Sequence, residues 1–317
     1  AIKFGQTFVV SLPLAWSRRF DIDKKREVEI QESEDGSLLI IPGDIKKTEK
    51  EFLINIDKTM NSDKIYYKIL KAYTLGYSKI IVSGELTDEQ LDFLDMVHKR
   101  IVGLEVSEQK PNQIIFTDLL RIEDVNIDKI INQMFSFIGM MGKDILEWIK
   151  KDEEPGDRIL DKNSLIVRNH NLAFKACNLA LKDSLYLGKL NKTTNEILVI
   201  SRILRHLDNI GINLIVFSYL LNKQQTPGMK KFNYKVYENK KRKLMYKLLK
   251  VWLKLFYETK KAVIKRDREK ITDLYVRRFE NTYNNFKKYD EFTIALKNIF
   301  EQMIRNTHLI LRDEIMI

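Results

Sequence analysis

The chain has only one cysteine, Cys177, so no internal disulfide can form and no paired-cysteine metal site is available. That scarcity suits a reducing compartment, and the expected location is cytoplasmic. Of the four histidines, His170 and His308 have no spaced partner for a metal, and His206 reads as a hydrogen-bonded helix residue. There is no Gly-rich phosphate loop and no Ser-His-Asp order with supporting context, which leaves an enzyme as the least supported class. No apolar run escapes charge: residues 197–221 are broken by Arg202, Arg205, His206 and Asp208. A membrane span is therefore not expected, and the opening residues do not read as a signal peptide.

What is present is a well-mixed chain of 317 residues, 44% hydrophobic and 31% charged, long enough for two or three domains with a sizeable core. The net charge of +11 is unevenly placed. Between Lys223 and Lys288, 21 Lys and Arg stand against 6 Asp and Glu, an excess of 15, so the remainder of the chain is slightly acidic. Such a surface suits nucleic acid, ribosomal RNA, anionic lipid or an acidic protein. It equally suits a Lys-rich solubilising surface of the kind thermophiles favour.

Taken in order, residues 3–42 read as strands with one helical turn. Phe8 to Leu12 is apolar and β-branched, Pro13 stops it, and Leu14 to Phe20 forms a short helix with Trp16 and Phe20 on one face. Lys25 to Gln31 places Val28 and Ile30 inward, Glu34-Asp35-Gly36-Ser37 turns the chain, and Leu38 to Ile41 returns. So small a sheet cannot bury both faces alone, which predicts dimerisation or docking.

Residues 49–115 read as a small α/β connector. Asp63 to Gly76 is helical and ends at glycine before the strand Lys79 to Ser83. Thr87-Asp88-Glu89-Gln90 opens a helix to Val102, and Leu104 to Ser107 and Gln113 to Thr117 are short strands. Tyr73, Tyr77 and His98 read as ordinary packing and solvation.

From Val125 on, the pattern is helical. Asp128 to Lys150 runs to the Pro155-Gly156 break, and Arg158 to Tyr186 follows. The longest apolar-periodic stretch, Asn195 to Leu221, repeats Ile197, Ile200, Leu204, Leu207, Leu214 and Phe217 on one face. A second stripe on it is polar: Arg202, Arg205, His206, Asn209 and Asn213. After a Gln225-Thr226-Pro227-Gly228 loop come Lys243 to Arg266, Arg268 to Lys288 and Asp290 to Met316. Trp148 and Trp252 lie on apolar helical faces and read as core.

GQTFVVSLPLAW, Gly5 to Trp16, followed by VEIQESEDGSLLIIP, resembles the swapped-hairpin domain of the AbrB/SpoVT type that opens many archaeal proteins of the PhoU family. Domains of that type often have another short strand before Gly5. LKAYTLGYSKIIV, Leu70 to Val82, and RIVGLEV, Arg100 to Val106, resemble two further segments of those proteins, so the likeness runs through the chain in order and thins toward its end. It implies an α+β protein in four parts: an AbrB-like swapped-hairpin β domain (1–48), a small α/β connector (49–117), and two PhoU-like three-helix units in tandem (118–223 and 224–317). It also implies a homodimer, DNA contact near Arg18, Arg19, Lys24, Lys25 and Arg26, and a role in phosphate-uptake regulation with transcriptional control. Residues 1–50 hold 9 basic and 9 acidic side chains, so DNA binding there needs those cations clustered in the dimer.

The third helix of each PhoU unit typically carries Glu-x-x-x-Asp-x-x-x-Asn, whose carboxylates hold clustered hard cations. Aligned on Asn213, this chain places Arg205 and Asn209 at the first two positions, and the second unit reads Glu301, Arg305, Leu309. Arginine is no metal ligand and sets a positive charge against a cation. No cofactor is expected, with Asp208, Asn209 and Asn213 as the residues through which a metal would bind if any did; Asp208 otherwise reads as a surface pair with Arg205 or a lysine. The competing reading is an interaction protein whose basic surface, Lys240, Lys241, Arg242, Lys243, Lys260, Lys261, Arg277 and Arg278 interleaved with Tyr246, Trp252 and Tyr257, docks on RNA, a ribonucleoprotein or an acidic protein.

Overall fold

The structure, a computed structural model, describes residues 2–22, 27–32, 36–43, 50–221, 239–277 and 291–316. The fold is mixed α+β, with small sheets and a helical C-terminal region. The chain divides into two compact units, residues 1–49 and 50–317.

In the first unit, β1 (Ile2–Phe4) pairs antiparallel with β2 (Thr7–Val9), and β3 (Val28–Glu32) pairs antiparallel with β4 (Leu38–Pro42). Each pair is a two-stranded sheet by itself. Between them Pro13 precedes α1 (Leu14–Arg19), and Trp16 and Phe20 meet with ring centroids 5.5 Å apart. Val28 is half-buried, but Ile30, expected to point inward, is 60% exposed. A lone hairpin has no opposing layer, so neither of its faces is an inside. The residues of the turn before Gly36 lie outside those described.

The second unit opens with a four-stranded sheet. β5 (Glu51–Ile56), which the sequence pattern did not signal, runs parallel to β6 (Lys79–Gly84), and β8 (Gln113–Asp118) and β7 (Leu104–Lys110) complete the order β5-β6-β8-β7. The β5–β6 crossover is α2 (Ser62–Thr74), and the link from β6 to β7 is α3 (Asp88–Arg100). Thr87 and Gln90 form the reciprocal cap that the sequence announces. Gly76 ends α2 with φ +82, its N–H bonding Tyr73 O and that of Tyr77 bonding Ala72 O. That pairing is the left-handed C-cap that glycine adopts without strain.

The helices are α4 (Ile127–Lys151), α5 (Arg158–Ala180), the short α6 (Ser184–Lys189), α7 (Thr194–Tyr219), α8 (Asn239–Lys265), α9 (Arg268–Val276) and α10 (Glu291–Ile315). The sequence reading carries α5 to Tyr186, but the helix stops at Ala180. Asp183 Oδ1 accepts from Tyr186 N–H at 3.2 Å and starts a new one. The loop around Pro227 and residues 278–290, where the sequence reading continues its helix to Lys288, lie outside the described ones.

The apolar stripe of α7 is buried at all six expected positions, from Ile197 to Phe217. It belongs to one core that also takes in α4, α5, α8 and α10. α8 sits close on α4 because two glycines face it. A Cβ on Gly139 would lie 2.8 Å from Tyr257 Oη, and one on Gly142 would lie 2.6 Å from Leu253 Cδ2. Trp252 is fully buried, stacked on Phe256 at 5.0 Å, with its indole N–H donated to Thr307 Oγ1 at 3.1 Å.

The sheet layer is tied to the helices by a buried ion pair, Lys175 of α5 with Asp118 at the end of β8. The Lys175 ammonium also lies 4.3 Å from the Tyr73 ring, whose hydroxyl donates to Val102 O at 2.9 Å. Burial lowers the Lys175 pKa, and Asp118 opposes the shift. Breaking a buried pair leaves an uncompensated charge, so Lys175→Met is expected to cost about 3–5 kcal/mol, with Asp118→Leu added to it recovering most of the loss. Denaturant unfolding of the two variants measures this; a single-variant loss below about 1 kcal/mol would show the pair to be solvated.

Candidate functional site

The polar seam of α7 faces α10. Arg202 Nε lies 3.7 Å and His206 Nε2 3.3 Å from Asp313 Oδ2, and His206 Nδ1 is 3.1 Å from Asn306 Oδ1. Asn306 donates its amide to Gln302 O at 2.9 Å, and Arg312 donates to Asp313 Oδ1 at 3.0 Å. Asp313 has no exposed surface, and a buried carboxylate persists only where cations and donors meet it. Asn306 and Asp313 stand seven residues apart, two turns on one face of α10. The seam is thus occupied at its Arg202–His206 end by a neighbouring helix. Arg205 is exposed and Asn209 and Asn213 are half-buried.

Asp208 does not join Asn209 and Asn213. One residue is about 100° of helix, and Asp208 turns toward α5 and α2, where it lies beside His170 and near Tyr66. It is half-buried, with Oδ1 shielded and without a hydrogen-bond partner, and among the described residues no ion pair with Arg205 or a lysine is formed. Burial raises its pKa, and His170 opposes the rise. Asn171, also buried, has Oδ1 3.4 Å from His170 Nδ1 and leaves Nδ2 unpaired. Of the later residues expected to correspond to the motif, Glu301 is ion-paired with Lys297 at 3.7 Å, Arg305 is exposed and Leu309 is half-buried. Among the described residues no group of three or more His, Cys, Asp or Glu could hold a metal ion.

Two other features bear on chemistry. Cys177 is buried, and its thiol is pushed up to about 11, well away from the thiolate that a nucleophile needs. An open cleft lies where α2 and α3 begin, lined by Lys58, Asn61, Ser62, Thr87 and Gln90. Both helix starts are already capped there, by Asn61 and Thr87, and Gln90 is engaged with Thr87 N, Asp57 O and Met60 O.

The basic residues divide by location. Arg18 and Arg19 are exposed on α1, Arg19 lying 5.4 Å from the Phe20 ring. Lys24, Lys25 and Arg26 lie outside the described residues, as does Arg278. Of the expected basic surface, Arg242 is turned inward, paired with Asp152 at 2.6 Å and donating to Ile149 O at 2.9 Å. Lys260 donates to Ser136 Oγ at 2.8 Å, and burial lowers its pKa. Arg277 pairs with Glu258 at 3.3 Å. Lys241 is half-buried and also engaged, and Lys240 falls within α8. Lys243 and Lys261 are exposed.

On α8, four further cations are exposed, Lys247, Lys250, Lys254 and Lys265. Helical spacing was the available signal: with Lys243 and Lys261 they fall within an arc of about 60° at 100° per residue. The aromatic residues read between them do not share that face. Trp252 is buried, Tyr246 packs against the core, and Tyr257 is half-buried with its hydroxyl on Gly139 O.

No protein-family model matches the chain, and neither does any curated protein or solved structure.

Metal analysis of the purified protein is expected to find no stoichiometric iron, zinc or magnesium; a stoichiometric ion lost on Asp208→Ala would reinstate the site. Glu314, beside Asp313, supplies a pH signal, its carboxyl pushed by burial from 4.5 up to about 7. A carboxyl raised in the fold favours the protonated form, so its contribution is complete below about pH 4.5 and is lost as pH rises through 7. Unfolding midpoints compared with Glu314→Gln should show the native chain losing ground to the variant across that window; parallel profiles would refute the assignment.

Proposed function

We propose that the protein is a non-enzymatic, cytoplasmic regulator of the PhoU type, dimeric through its N-terminal hairpin unit and contacting DNA there with Arg18 and Arg19. By the resemblance, its process is phosphate-uptake regulation with transcriptional control. The observation that carries the reading is the state of that unit: among its described residues only Pro42 is buried. Phe8 is 71%, Leu38 64% and Ile2 77% exposed on strands that belong to two-stranded sheets. Isolated hairpins of this size are marginal in water, and apolar side chains on both call for an opposing layer. A second copy supplies one of matched composition, with hairpin laid on hairpin about a two-fold axis. The same union brings two copies of Arg18 and Arg19 into one assembly, which supplies the clustered charge that a single near-neutral unit lacks.

Three observations support a binding role over a catalytic one. The lone thiol is protonated and buried. The seam at the family's metal positions is filled at one end by α10. The cleft where α2 and α3 begin is bounded by satisfied caps. No helix of the described residues is long and apolar enough to cross a membrane.

Sedimentation should find the chain at twice 37.6 kDa, and Phe8→Glu with Ile30→Glu should return it to monomer with its helix content intact. Electrophoretic shift with random and promoter DNA over a salt series should then show binding by the dimer, reduced by Arg18→Gln with Arg19→Gln. A monomeric native chain sinks the dimer reading, and absence of any shift at low salt removes the transcriptional part.

A further inference from the structure

α8 presents a single-sign face. Lys243, Lys247, Lys250, Lys254, Lys261 and Lys265 are all exposed on one stripe that is about 33 Å long at 1.5 Å per residue. The helix has one acidic side chain, Glu258, and that is tied to Arg277. A merely solvated helix face interleaves signs, as α4 does with exposed Asp128, Lys129, Lys143, Glu147 and Lys150. Like charges three and four residues apart repel on a helix, so Lys243 and Lys247, Lys247 and Lys250, Lys250 and Lys254, and Lys261 and Lys265 each oppose its folding slightly. Nothing in the packing of α8 requires that arrangement: its other side, from Met245 through Trp252 to Val263, buries the apolar residues.

We infer that this stripe is a docking track for the phosphate backbone of duplex DNA. The chemistry of the face selects the partner. Protein interfaces concentrate aromatic residues, Met and Arg at their centres and are poor in lysine, whereas this stripe is lysine alone. Single-stranded nucleic acid is held by bases stacked on aromatic rings, and Trp252 is fully buried while Tyr257 turns to the α4 backbone. Duplex RNA is read through its 2′-hydroxyls, and the hydroxyl groups of α8 lie off the stripe: Thr259 is fully buried, Tyr257 donates to Gly139 O, and Tyr246 packs against the core. Ammonium groups in a straight row meet a phosphate backbone without reading bases, and about 33 Å is close to one turn of B-form DNA. Binding on this face is sequence-independent and driven by counterion release. It does not rest on the hairpin unit, since Arg18 and Arg19 belong to a separate part of the chain.

The test uses the full chain with fluorescently labelled random-sequence duplex DNA over a salt series. Lys247→Gln, Lys250→Gln and Lys254→Gln together should weaken binding at least tenfold at low salt and flatten the slope of log K against log salt by about 2.7, at 0.9 per phosphate contact. A control triple at exposed lysines elsewhere, Lys64→Gln, Lys71→Gln and Lys99→Gln, removes the same net charge and should leave the slope unchanged. Arg18→Gln with Arg19→Gln should keep the slope change that the stripe triple produces, so loss of the hairpin contact and loss of the track are read separately. Circular dichroism checks that each variant keeps its helices. Equal losses in both triples would reduce the effect to net charge and overturn the track. Tighter binding to duplex RNA, to vesicles containing phosphatidylserine or to polyglutamate than to duplex DNA would overturn the assignment of partner.

Discussion

The close seat of α8 on α4 is the constraint on which the rest of the helical region depends. Gly139 and Gly142 leave room for Tyr257 and Leu253, so α8 and α10 share a core with the earlier helices, beside a smaller cluster of Leu255, Ala262, Ile271, Leu274 and Leu311 that α8 and α10 form with α9. Once α8 is seated, its apolar side is committed inward and six of its lysines, Lys243, Lys247, Lys250, Lys254, Lys261 and Lys265, are exposed. α10 lies against both α7 and α8 and lays Asn306 and Asp313 over the seam, while Thr307 meets the Trp252 indole from the other side. Several polar groups of the interior are therefore ties between helices, and among the described residues two exposed surfaces stand out as unmet, the apolar hairpin strands and the lysine face of α8.

Those two places differ in kind. On the hairpin unit the unmet groups are apolar, and the hydrophobic effect drives them toward a surface of the same sort, here proposed to be a second copy. On α8 they are charged, and the relief comes from a partner of opposite sign. A dimer of the proposed type carries two lysine tracks as well as two pairs of Arg18 and Arg19, and it would hold DNA through more phosphate contacts than one chain can offer.

The buried charges illustrate how burial assigns roles. Lys175 with Asp118, and Asp313 with His206 and Arg202, each join elements distant in sequence, and each keeps a partner because an unpaired buried charge costs several kcal/mol. Asp208, like Asp313, has a shielded oxygen without a hydrogen bond, and burial raises its pKa. Its neighbour His170 is the group that moderates the cost. Asn209 and Asn213 lie about 100° and 140° away around the helix, so Asp208 does not share their face.

Much of the scaffold was legible in the sequence because the signals are local. The period of Ile197 to Phe217 is a property of one helix, the Thr87–Gln90 cap of four residues, and the Gly76 stop of one backbone angle. β5 was not legible, since a parallel edge strand takes its partner from beyond a helix, and neither was the break of α5 at Ala180, which hangs on one aspartate bonding forward. The seam shows the limit most plainly. Its residues could be read as polar and helically spaced, but whether they met a metal, solvent or another helix depended on α10, a hundred residues away. The basic region was likewise evident as an excess of charge, while its division into engaged groups, Arg242, Lys260 and Arg277, and a free stripe of six required knowing which side of α8 is covered. Periodicity in a sequence fixes the face a residue shares; only the packing of distant helices decides which faces remain for a partner.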